Sequence, residues 1–371
     1  MHRALLTVAF LAAACRATTP ASPPLDTSRA AASPWVKLAT EPYKGKQDDV
    51  FFLTPELGWY VNGGGKIFKT TDGGKTFTEK LSQPGTYFRA IGFEDERHGF
   101  AGNLGKDYFP GVTDDIPLYE TFDGGDTWAP VKDFPFPKGA GVCAINVERD
   151  AFVNAGRLDH RTVVHVAGRV GGPAYAARSV DGGKTWKLMD LNKQTAMILD
   201  VKFLDASTGF LAGGSDREVE PSHAQVLKTT DGGEHWTTVY ESKRPFEITW
   251  KLSFPTRETG YVTVQNYAED AAVKDRVVAR TTDGGDTWTE LPLVSDHAQQ
   301  EFGVAFATPD VGWVGVTKGG FQTLDGGKTW THLEMGRAVN KIRVVPSRQG
   351  FVAYAIGVEL FKLDAAAAQA P

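Results

Sequence analysis

The sequence predicts an all-β fold: a single seven-bladed β-propeller of four-stranded antiparallel blades, with the last blade closed by the N-terminal strand. Three observations support this prediction. A turn motif recurs six times, a small residue followed by an aromatic residue recurs seven times, and one N-terminal strand has no partner nearby in the sequence. The turn motifs lie 42–58 residues apart, which is the length of a propeller blade.

The turn motif reads Ser or Thr, any residue, Asp, Gly, Gly, any residue, usually Thr, and then Trp or Phe. Adjacent glycines permit the positive φ angles of a tight hairpin, and the aspartate before them can accept hydrogen bonds from the backbone of the turn. The aromatic residue opens the next strand and gives it a large apolar surface. Six equal copies favour a structural role, because an active site needs unlike groups that converge once. The six aspartates are Asp72, Asp123, Asp181, Asp231, Asp283 and Asp325.

A second repeat places the other strands of each unit. A small residue precedes an aromatic residue, and an apolar residue lies six positions before the small one. Each unit then reads strand, short turn, strand, loop, strand, Asp-box turn, strand, which is a propeller blade. The pairs are Gly58/Trp59, Gly99/Phe100, Ala151/Phe152, Gly209/Phe210, Gly260/Tyr261, Gly312/Trp313 and Gly350/Phe351. The apolar residues are Phe52, Phe93, Ile145, Phe203, Phe254, Phe306 and Val344.

The seventh unit has no Asp box. Its segment Gly357–Lys362 resembles the third strand of the first unit, Gly65–Lys69, and an Ala-rich tail follows. The segment Trp35–Leu38 resembles the strand after each box, as in Trp186–Leu188. We therefore expect the N-terminal strand to complete the last blade and to remove two exposed sheet edges.

The first 15 residues predict a bacterial lipoprotein signal peptide. Arg3 gives a positive start, and the apolar run Ala4–Ala14 is too short to span a bilayer. The run ends in a lipobox-like sequence, so Cys15 is the expected acylated residue; plain secretion is the alternative. Acylation would hold the protein at a membrane of the bacterial cell envelope, facing the periplasm or the cell surface. The predicted divisions are signal peptide 1–15, flexible linker 16–34, propeller 35–364 and disordered tail 365–371.

Composition argues against several functions. The net charge of -5 is spread along the chain without long runs, whereas a nucleic-acid partner would favour a basic stripe. The second cysteine, Cys143, lies in an apolar strand pattern and is expected to be a small buried side chain. No clustered Cys/His set and no phosphate-binding loop is present, so we expect neither a metal nor a cofactor.

The boxes resemble those of Asp-box (BNR-type) repeat propellers over nearly all of residues 35–364. Units such as Gly58–Phe77 and Gly312–Trp330 are most similar to the photosystem II stability and assembly factor-like family, within the broader sialidase-like superfamily. The resemblance implies one seven-bladed ring, often behind a lipoprotein signal. It also implies a protein that assists assembly by binding a precursor subunit, through an arginine-rich surface in photosynthetic members. No clear arginine cluster is visible in this sequence.

Unequal loop lengths predict a binding face. Turns after the first and third strands of a blade lie on one face of the ring, and connections after the second and fourth strands lie on the other. Units two to five carry extra residues near 103–117, 157–173, 213–224 and 266–276, whereas units one and six are minimal. Long loops on a rigid ring usually carry function, and tolerated surface insertions are the alternative. The candidate binding residues are Tyr108, Phe109, Asp114, Asp115, His160, Arg161, Arg217, His223 and Tyr267.

Charged residues in the first strands are expected to line the central channel, because they alternate with the apolar positions. A channel of mixed charge could bind an anion or a sugar, but a water-filled funnel whose charges pair with each other is the interpretation we favour. These residues are Asp49, Asp200, Lys202, Lys251, Lys341 and Arg343.

These features favour a noncatalytic binding or assembly scaffold. Its expected partner is an envelope or membrane protein, or else a glycan; we expect no nucleic acid and a monomeric state. The alternative is a carbohydrate-active hydrolase or lectin-like propeller of the sialidase or xyloglucanase type. Glycoside hydrolysis needs two carboxylates beside the scissile bond, and neither Asp48 and Asp49 nor Asp114 and Asp115 stand out among 45 acidic residues. No catalytic residue is predicted.

Overall fold

The computed structural model describes residues 33–154 and 157–364, and β-strands are the only regular secondary structure in these ranges. Twenty-eight strands form seven four-stranded sheets. No helix in the described ranges is long and apolar enough to cross a membrane. The predicted signal peptide with Cys15, the linker up to residue 32 and the tail 365–371 lie outside the described residues.

The strands are assigned to blades in chain order. Blade one contains β2 (Gln47–Phe52), β3 (Gly58–Asn62), β4 (Lys66–Thr70) and β5 (Thr78–Ser82). Blade two contains β6 (Phe88–Phe93), β7 (Gly99–Asn103), β8 (Leu118–Thr121) and β9 (Ala129–Pro130). Blade three contains β10 (Ala144–Asn154), β11 (Arg157–Ala167), β12 (Tyr175–Ser179) and β13 (Lys187–Asp190). Blade four contains β14 (Met197–Phe203), β15 (Gly209–Gly214), β16 (Ala224–Thr229) and β17 (Thr237–Glu241).

The remaining three blades complete the ring. Blade five contains β18 (Glu247–Ser253), β19 (Gly260–Asn266), β20 (Asp275–Thr281) and β21 (Thr289–Ser295). Blade six contains β22 (Glu301–Phe306), β23 (Gly312–Val316), β24 (Lys318–Thr323) and β25 (Thr331–Arg337). Blade seven contains β26 (Lys341–Ser347), β27 (Gly350–Ile356), β28 (Leu360–Asp364) and the N-terminal β1 (Val36–Lys37).

The ring closes through the N-terminal strand. Val36 pairs with Lys362 and Lys37 with Phe361, so β1 is the fourth strand of blade seven. The first strands of adjacent blades contact each other all the way round, including β26 with β2, and therefore surround the centre of the ring. The predictions of seven antiparallel blades and of an N-terminal closing strand are confirmed.

Each Asp box is a hydrogen-bonded turn. Asp72 Oδ1 accepts from the Thr70 hydroxyl at 2.8 Å and from the Thr76 backbone N–H at 3.0 Å, while Oδ2 accepts from the Thr76 hydroxyl at 2.7 Å. Gly73 and Gly74 have φ angles of 74° and 88°, which an L side chain rarely adopts. The bonds from Thr76 lower the pKa of Asp72 to about 2. The other five boxes repeat this geometry, with His235 in place of the threonine at Asp231.

Aromatic stacks join neighbouring blades. The Trp59 ring in blade one stacks on Phe93 of blade two, with ring centroids 3.6 Å apart. The glycine before the aromatic residue is needed because the paired first strand covers it: a Cβ on Gly58 would lie 2.5 Å from the Phe52 ring. Equivalent stacks join Phe210 to Phe254 and Tyr261 to Phe306.

The predicted pair Ala151/Phe152 is wrong, because β10 continues through these residues to Asn154. Val164 and His165 hold the positions of the pair in blade three. Val164 pairs with Ser179 in the register that other blades use for their glycine, and it lies opposite Val147 rather than Ile145. A valine leaves more room than the phenylalanine of other blades, so the residue facing it need not be glycine. The hydrophobic pattern therefore gave no sign of the true register.

Blade seven shows the same displacement. Ala353 and Tyr354 take the place predicted for Gly350 and Phe351, since Tyr354 stacks on Phe52 of blade one with centroids 3.5 Å apart. Ala353 lies opposite Val344, the apolar residue that the repeat had placed correctly.

His165 is the unusual member of the aromatic series. Its ring stacks on Phe203 with centroids 3.5 Å apart and is 1% exposed. Burial holds its pKa well below the ordinary histidine value, so the ring is neutral, and neither ring nitrogen has a hydrogen-bond partner. A neutral imidazole thus fills the place that Trp, Phe or Tyr fills in the other blades.

Candidate binding surfaces

The two faces of the ring differ in their connections. The Asp-box turns lie on one face, here called the box face, and the connections after each second strand lie on the opposite face, here called the loop face. Four loop-face connections are long, namely residues 104–117, 168–174, 215–223 and 267–274. In blade six, Thr317 alone separates β23 from β24. Elaboration of the loop face is therefore uneven around the ring.

His160 and Arg161 lie on the box face, which corrects their predicted place in a loop after the second strand. Both belong to β11, in a first hairpin longer than those of the other blades. The box residue Gly182 donates its N–H to the Thr162 carbonyl at 3.1 Å, so this hairpin lies beside the box of its own blade. The error follows from Ala151/Phe152, which placed the start of the second strand too early and turned hairpin residues into a loop.

The connection 104–117 presents an aromatic group on the loop face. Phe109 is 43% exposed and packs edge-on against Tyr108, with ring centroids 4.8 Å apart. The guanidinium of Arg169, from the next blade, lies 4.8 Å from the Tyr108 ring centroid. Asp114 has a structural role, since it accepts a hydrogen bond from the Tyr119 hydroxyl at 2.7 Å. Asp115 makes a surface ion pair with Lys138.

The other predicted loop residues are spread around the face. His223 Nδ1 lies 2.8 Å from the carbonyl of Ser242, the residue that follows β17. Arg217 is exposed and donates to Asn192 Oδ1 at 3.3 Å. Tyr267 is half-buried and hydrogen-bonds to Gln265, which points it toward the centre of the ring.

A cluster of cations surrounds Trp250 in the central channel. The charged groups of Lys46, Arg89 and Lys251 lie 5.5, 5.2 and 5.4 Å from its ring centroid. Burial, and then the charge of Arg89, lower the pKa of Lys46 to about 8. The sequence reasoning missed Lys46, Arg89 and Trp250 as members of one site. A cation over an indole face is a favourable contact that also orders these long side chains.

Beta-bulges explain why these residues were missed. Register shifts in the first hairpins leave Asp48, Arg89 and Trp250 without direct partners on the second strand. Leu199 and Phe302 occupy bulges of the same kind. A bulge inserts one residue and re-aims its side chain, so strict alternation along the strand fails there.

The predicted channel residues pair with each other across blade boundaries. Asp49 lies 2.5 Å from Lys341 and 3.3 Å from Arg343, and Asp200 lies 3.6 Å from Lys251. Asp200 also accepts the backbone N–H of Leu252 in the next blade at 2.9 Å. Lys202 faces Glu148. Burial raises the pKa of this glutamate to about 7. In the described ranges no group of three His, Cys, Asp or Glu residues could hold a metal ion.

A groove of about 820 Å³ lies between blades four and five on the loop face, here called the blade 4–5 groove. Its apolar lining comes from Val219, Phe246 and Val273, with Tyr267 at the end nearest the channel. Glu220, Glu269, Asp270 and Arg244 also line the groove. Only Tyr267 among these was predicted as a binding residue. Most of the others lie in the predicted extra segments 213–224 and 266–276, whereas Arg244 and Phe246 lie outside them and carry no sequence signal.

Comparison with known proteins agrees with this architecture. The family model described as photosynthesis system II assembly factor YCF48 matches residues 177–297. A solved structure of YCF48 bound to D1 peptide is 18% identical over 92% of this chain and 99% of that chain, with a TM-score of 0.61. YCF48 from Cyanidioschyzon merolae is 16% identical over 90% of this chain and 99% of its own, with a TM-score of 0.62.

A second group of similar structures consists of larger enzymes. The GH74 xyloglucanase from Xanthomonas campestris is 16% identical, with a TM-score of 0.61, over 88% of this chain but 53% of that chain. This chain therefore spans about half the length of that enzyme, and the likeness is one of fold. No curated protein sequence matches the chain. With its six Asp boxes and seven blades, the chain is a BNR-type β-propeller, and its residues 177–297 are similar to the photosystem II assembly factor family.

Proposed function

We propose that this protein is a noncatalytic scaffold that binds a polypeptide segment of an envelope or membrane protein on its loop face. The observation that carries the proposal is the blade 4–5 groove. It has apolar walls, a volume of about 820 Å³ and a polar rim, which is the anatomy of a surface that holds a partner's apolar anchor residues.

The rim of the groove favours a particular kind of segment. Arg244 donates to both carboxylate oxygens of Glu290, at 2.8 and 2.9 Å, and to Glu247 at 2.6 Å, so its charge is already neutralised. Glu220 and Glu269 remain exposed on the rim. The expected ligand therefore carries apolar side chains next to basic ones.

The comparisons support a peptide as the ligand class. The YCF48 structure contains a bound D1 peptide, so a propeller of this fold can hold a peptide. The aromatic residues near the channel extend the surface toward the centre, since Tyr267 packs with the cluster that contains Trp250. A segment lying in the groove would thus meet a rigid, largely preformed surface.

Substitution of Val273 by aspartate should reduce partner capture at least about tenfold, because it buries a charge where an apolar side chain would pack. The measurement is photocrosslinking of the purified protein, with a benzoylphenylalanine in place of Tyr267, to solubilised native membranes. The matched control is Leu324→Asp, which makes the same kind of change at a residue 56% exposed on the box face. Equal capture by both aspartate variants would place the partner surface elsewhere.

The alternative is a glycan ligand or a glycoside hydrolase. Three buried acids of the first strands are held in ion pairs: Asp48 with Arg89, Asp49 with Lys341, and Asp200 with Lys251. Acids held in ion pairs are poorly placed to act as a catalytic acid and base. Release of reducing sugar from xyloglucan by the purified protein would favour the hydrolase.

We also propose that acylated Cys15 anchors the protein to a membrane of the cell envelope, on the strength of the lipobox-like sequence. Cys15→Ser should then move the protein from the membrane fraction to the soluble fraction, since the acyl chains supply the membrane affinity. Fractionation with labelled palmitate incorporation measures both events. Unchanged membrane association without label would mean that the anchor is not at Cys15.

A further inference from the structure

A repeated cation links five of the seven blades to the next one on the box face. The residue three positions before the box aspartate is Lys or Arg in most blades, and it lies over the aromatic ring of the second strand. Lys69 lies 5.5 Å from the Trp59 ring centroid, and Lys228 lies 5.8 Å from that of Phe210. The cation also reaches the next box: Lys228 Nζ donates to the Gly284 carbonyl at 2.8 Å. Arg178, Arg280 and Lys362 occupy the same position in blades three, five and seven.

Blade two breaks this repeat with an acid. Glu120 stands where five other blades have the cation, next to Phe100, whereas blade six has the neutral Gln322 at this position. The box glycine that a cation would approach, Gly182, has Glu94 and Thr162 as its nearest side chains instead. The interface between blades two and three therefore lacks the Lys or Arg that its neighbours supply, and the smaller His98 side chain lies beside Phe100 and Glu120 instead.

The place of the missing cation is a cavity with an acidic floor. It measures about 720 Å³ and lies between blades two and three. Glu94 and Glu120 are 27% and 17% exposed and flank His98, whose Nδ1 lies 2.9 Å from Glu94 and whose Nε2 lies 4.0 Å from Glu120. Burial raises the pKa of Glu120, and the nearby His98 offsets part of this effect. The His98 ring stacks on the exposed Phe122, with centroids 4.6 Å apart, so the wall beside the acids is aromatic.

Other charges around the cavity lie further out. Lys132 and Lys184 are exposed at the rim, and Arg161 donates to Asp150 at 2.8 Å. The inner end of the cavity therefore favours a cation. The lysines at the rim can donate hydrogen bonds to carbonyls or carboxylates next to that cation. A basic side chain on a polypeptide backbone fits this order of charges, and the volume exceeds what a single side chain needs.

We propose that the cavity between blades two and three binds an arginine or lysine side chain of a polypeptide partner, which takes the place that the chain's own Lys or Arg holds in five other blades. The inserted group would contact the carboxylates of Glu94 and Glu120 from the cavity, beside the His98 and Phe122 rings. Carboxylate oxygens and aromatic faces are the groups that bind a guanidinium best. This site lies on the box face and does not depend on the blade 4–5 groove.

A short peptide tests the proposal directly. The probe is acetyl-Gly-Arg-Gly-amide, and the matched probe replaces arginine with neutral, nearly isosteric citrulline. Amide chemical shifts of the isotope-labelled protein should move with the arginine peptide around Gly182 and Glu120, and the citrulline peptide should bind at least about tenfold more weakly. Equal binding of both peptides, or shifts confined to another part of the ring, would overturn the proposal.

Two variants of one residue sharpen the test. Glu120→Lys should fill the site from within, abolish binding of the arginine peptide and raise the melting temperature, because it restores the repeated cation. Glu120→Gln keeps the shape and should weaken binding at least about tenfold. Glu258→Lys, an exposed residue on the same face of blade five, is the charge-matched control and should bind as the unmodified protein does. Wild-type binding by Glu120→Lys or by Glu120→Gln would refute the assignment.

Discussion

Replacement of Trp35 by alanine should lower the free energy of unfolding by about 3–5 kcal/mol, the usual cost of removing a buried tryptophan. Trp35 is 4% exposed and packs edge-on against Trp313 with ring centroids 5.8 Å apart. It belongs to the core cluster between blades six and seven, together with Met335 and Leu363. The strand β1 contributes two residue pairs to its sheet, so this side chain supplies most of the buried contact of the closing strand.

Chemical denaturation of Trp35→Ala and of a Val36→Ala control measures the effect. Val36 is 65% exposed, and its truncation should cost less than about 0.5 kcal/mol. Hydrogen exchange adds a spatial readout, because release of β1 would expose the backbone of β28, its partner. Similar losses in the two variants, or unchanged exchange in β28, would mean that the ring is held closed by other contacts.

The repeats predict the fold because each one encodes a local geometric requirement. The box needs two glycines at positive φ and an acceptor before them, and Gly58 is needed because Phe52 covers it. These requirements recur with each blade, so their count gives the blade number. The closing strand follows from the same logic, since the seventh unit lacks a fourth strand.

The prediction of strand register from the sequence failed where a blade tolerates substitution of the repeat residues. In blade three, Val147 leaves room for Val164, and a histidine replaces the aromatic residue that follows. Blade three thus has neither the small residue nor the aromatic residue that define the repeat, and Ala151/Phe152 matches the pattern better than Val164/His165 does. The error moved His160 and Arg161 to the wrong face of the ring.

The binding surfaces were the least predictable part. A bulge places Arg89 and Trp250 beside Lys46, although alternation along an ideal strand does not bring them together. Glu120 could have been found from the sequence, because it breaks a Lys/Arg position that five blades keep.

Substitution of Asp49 by alanine should cost about 3–5 kcal/mol, because it leaves a buried cation without its counter-charge. Asp49 is fully buried and lies 2.5 Å from Lys341, which is 2% exposed. It also accepts the backbone N–H of Ile91 in blade two at 3.0 Å, so one carboxylate ties blades seven, one and two together. Burial alone would raise the pKa of Asp49, but Lys341 and Arg343 outweigh it and lower the pKa. The stability that this group contributes is therefore complete above about pH 4 and is lost as the pH falls through the folded-state pKa.

A double variant separates the loss of the ion pair from the loss of packing. Asp49→Ala combined with Lys341→Met removes both charges. The double variant should therefore be less destabilised than Asp49→Ala alone, even though it changes more atoms. Asp49→Asn should fall between the unmodified protein and Asp49→Ala, since an amide oxygen can still accept from Ile91. Urea denaturation at pH 7 gives the free energies of these three variants and of Lys341→Met alone, which completes the cycle. If the double variant instead loses the sum of the two single losses, Lys341 contributes by packing rather than by charge, and the channel ion pairs do not join the blades electrostatically.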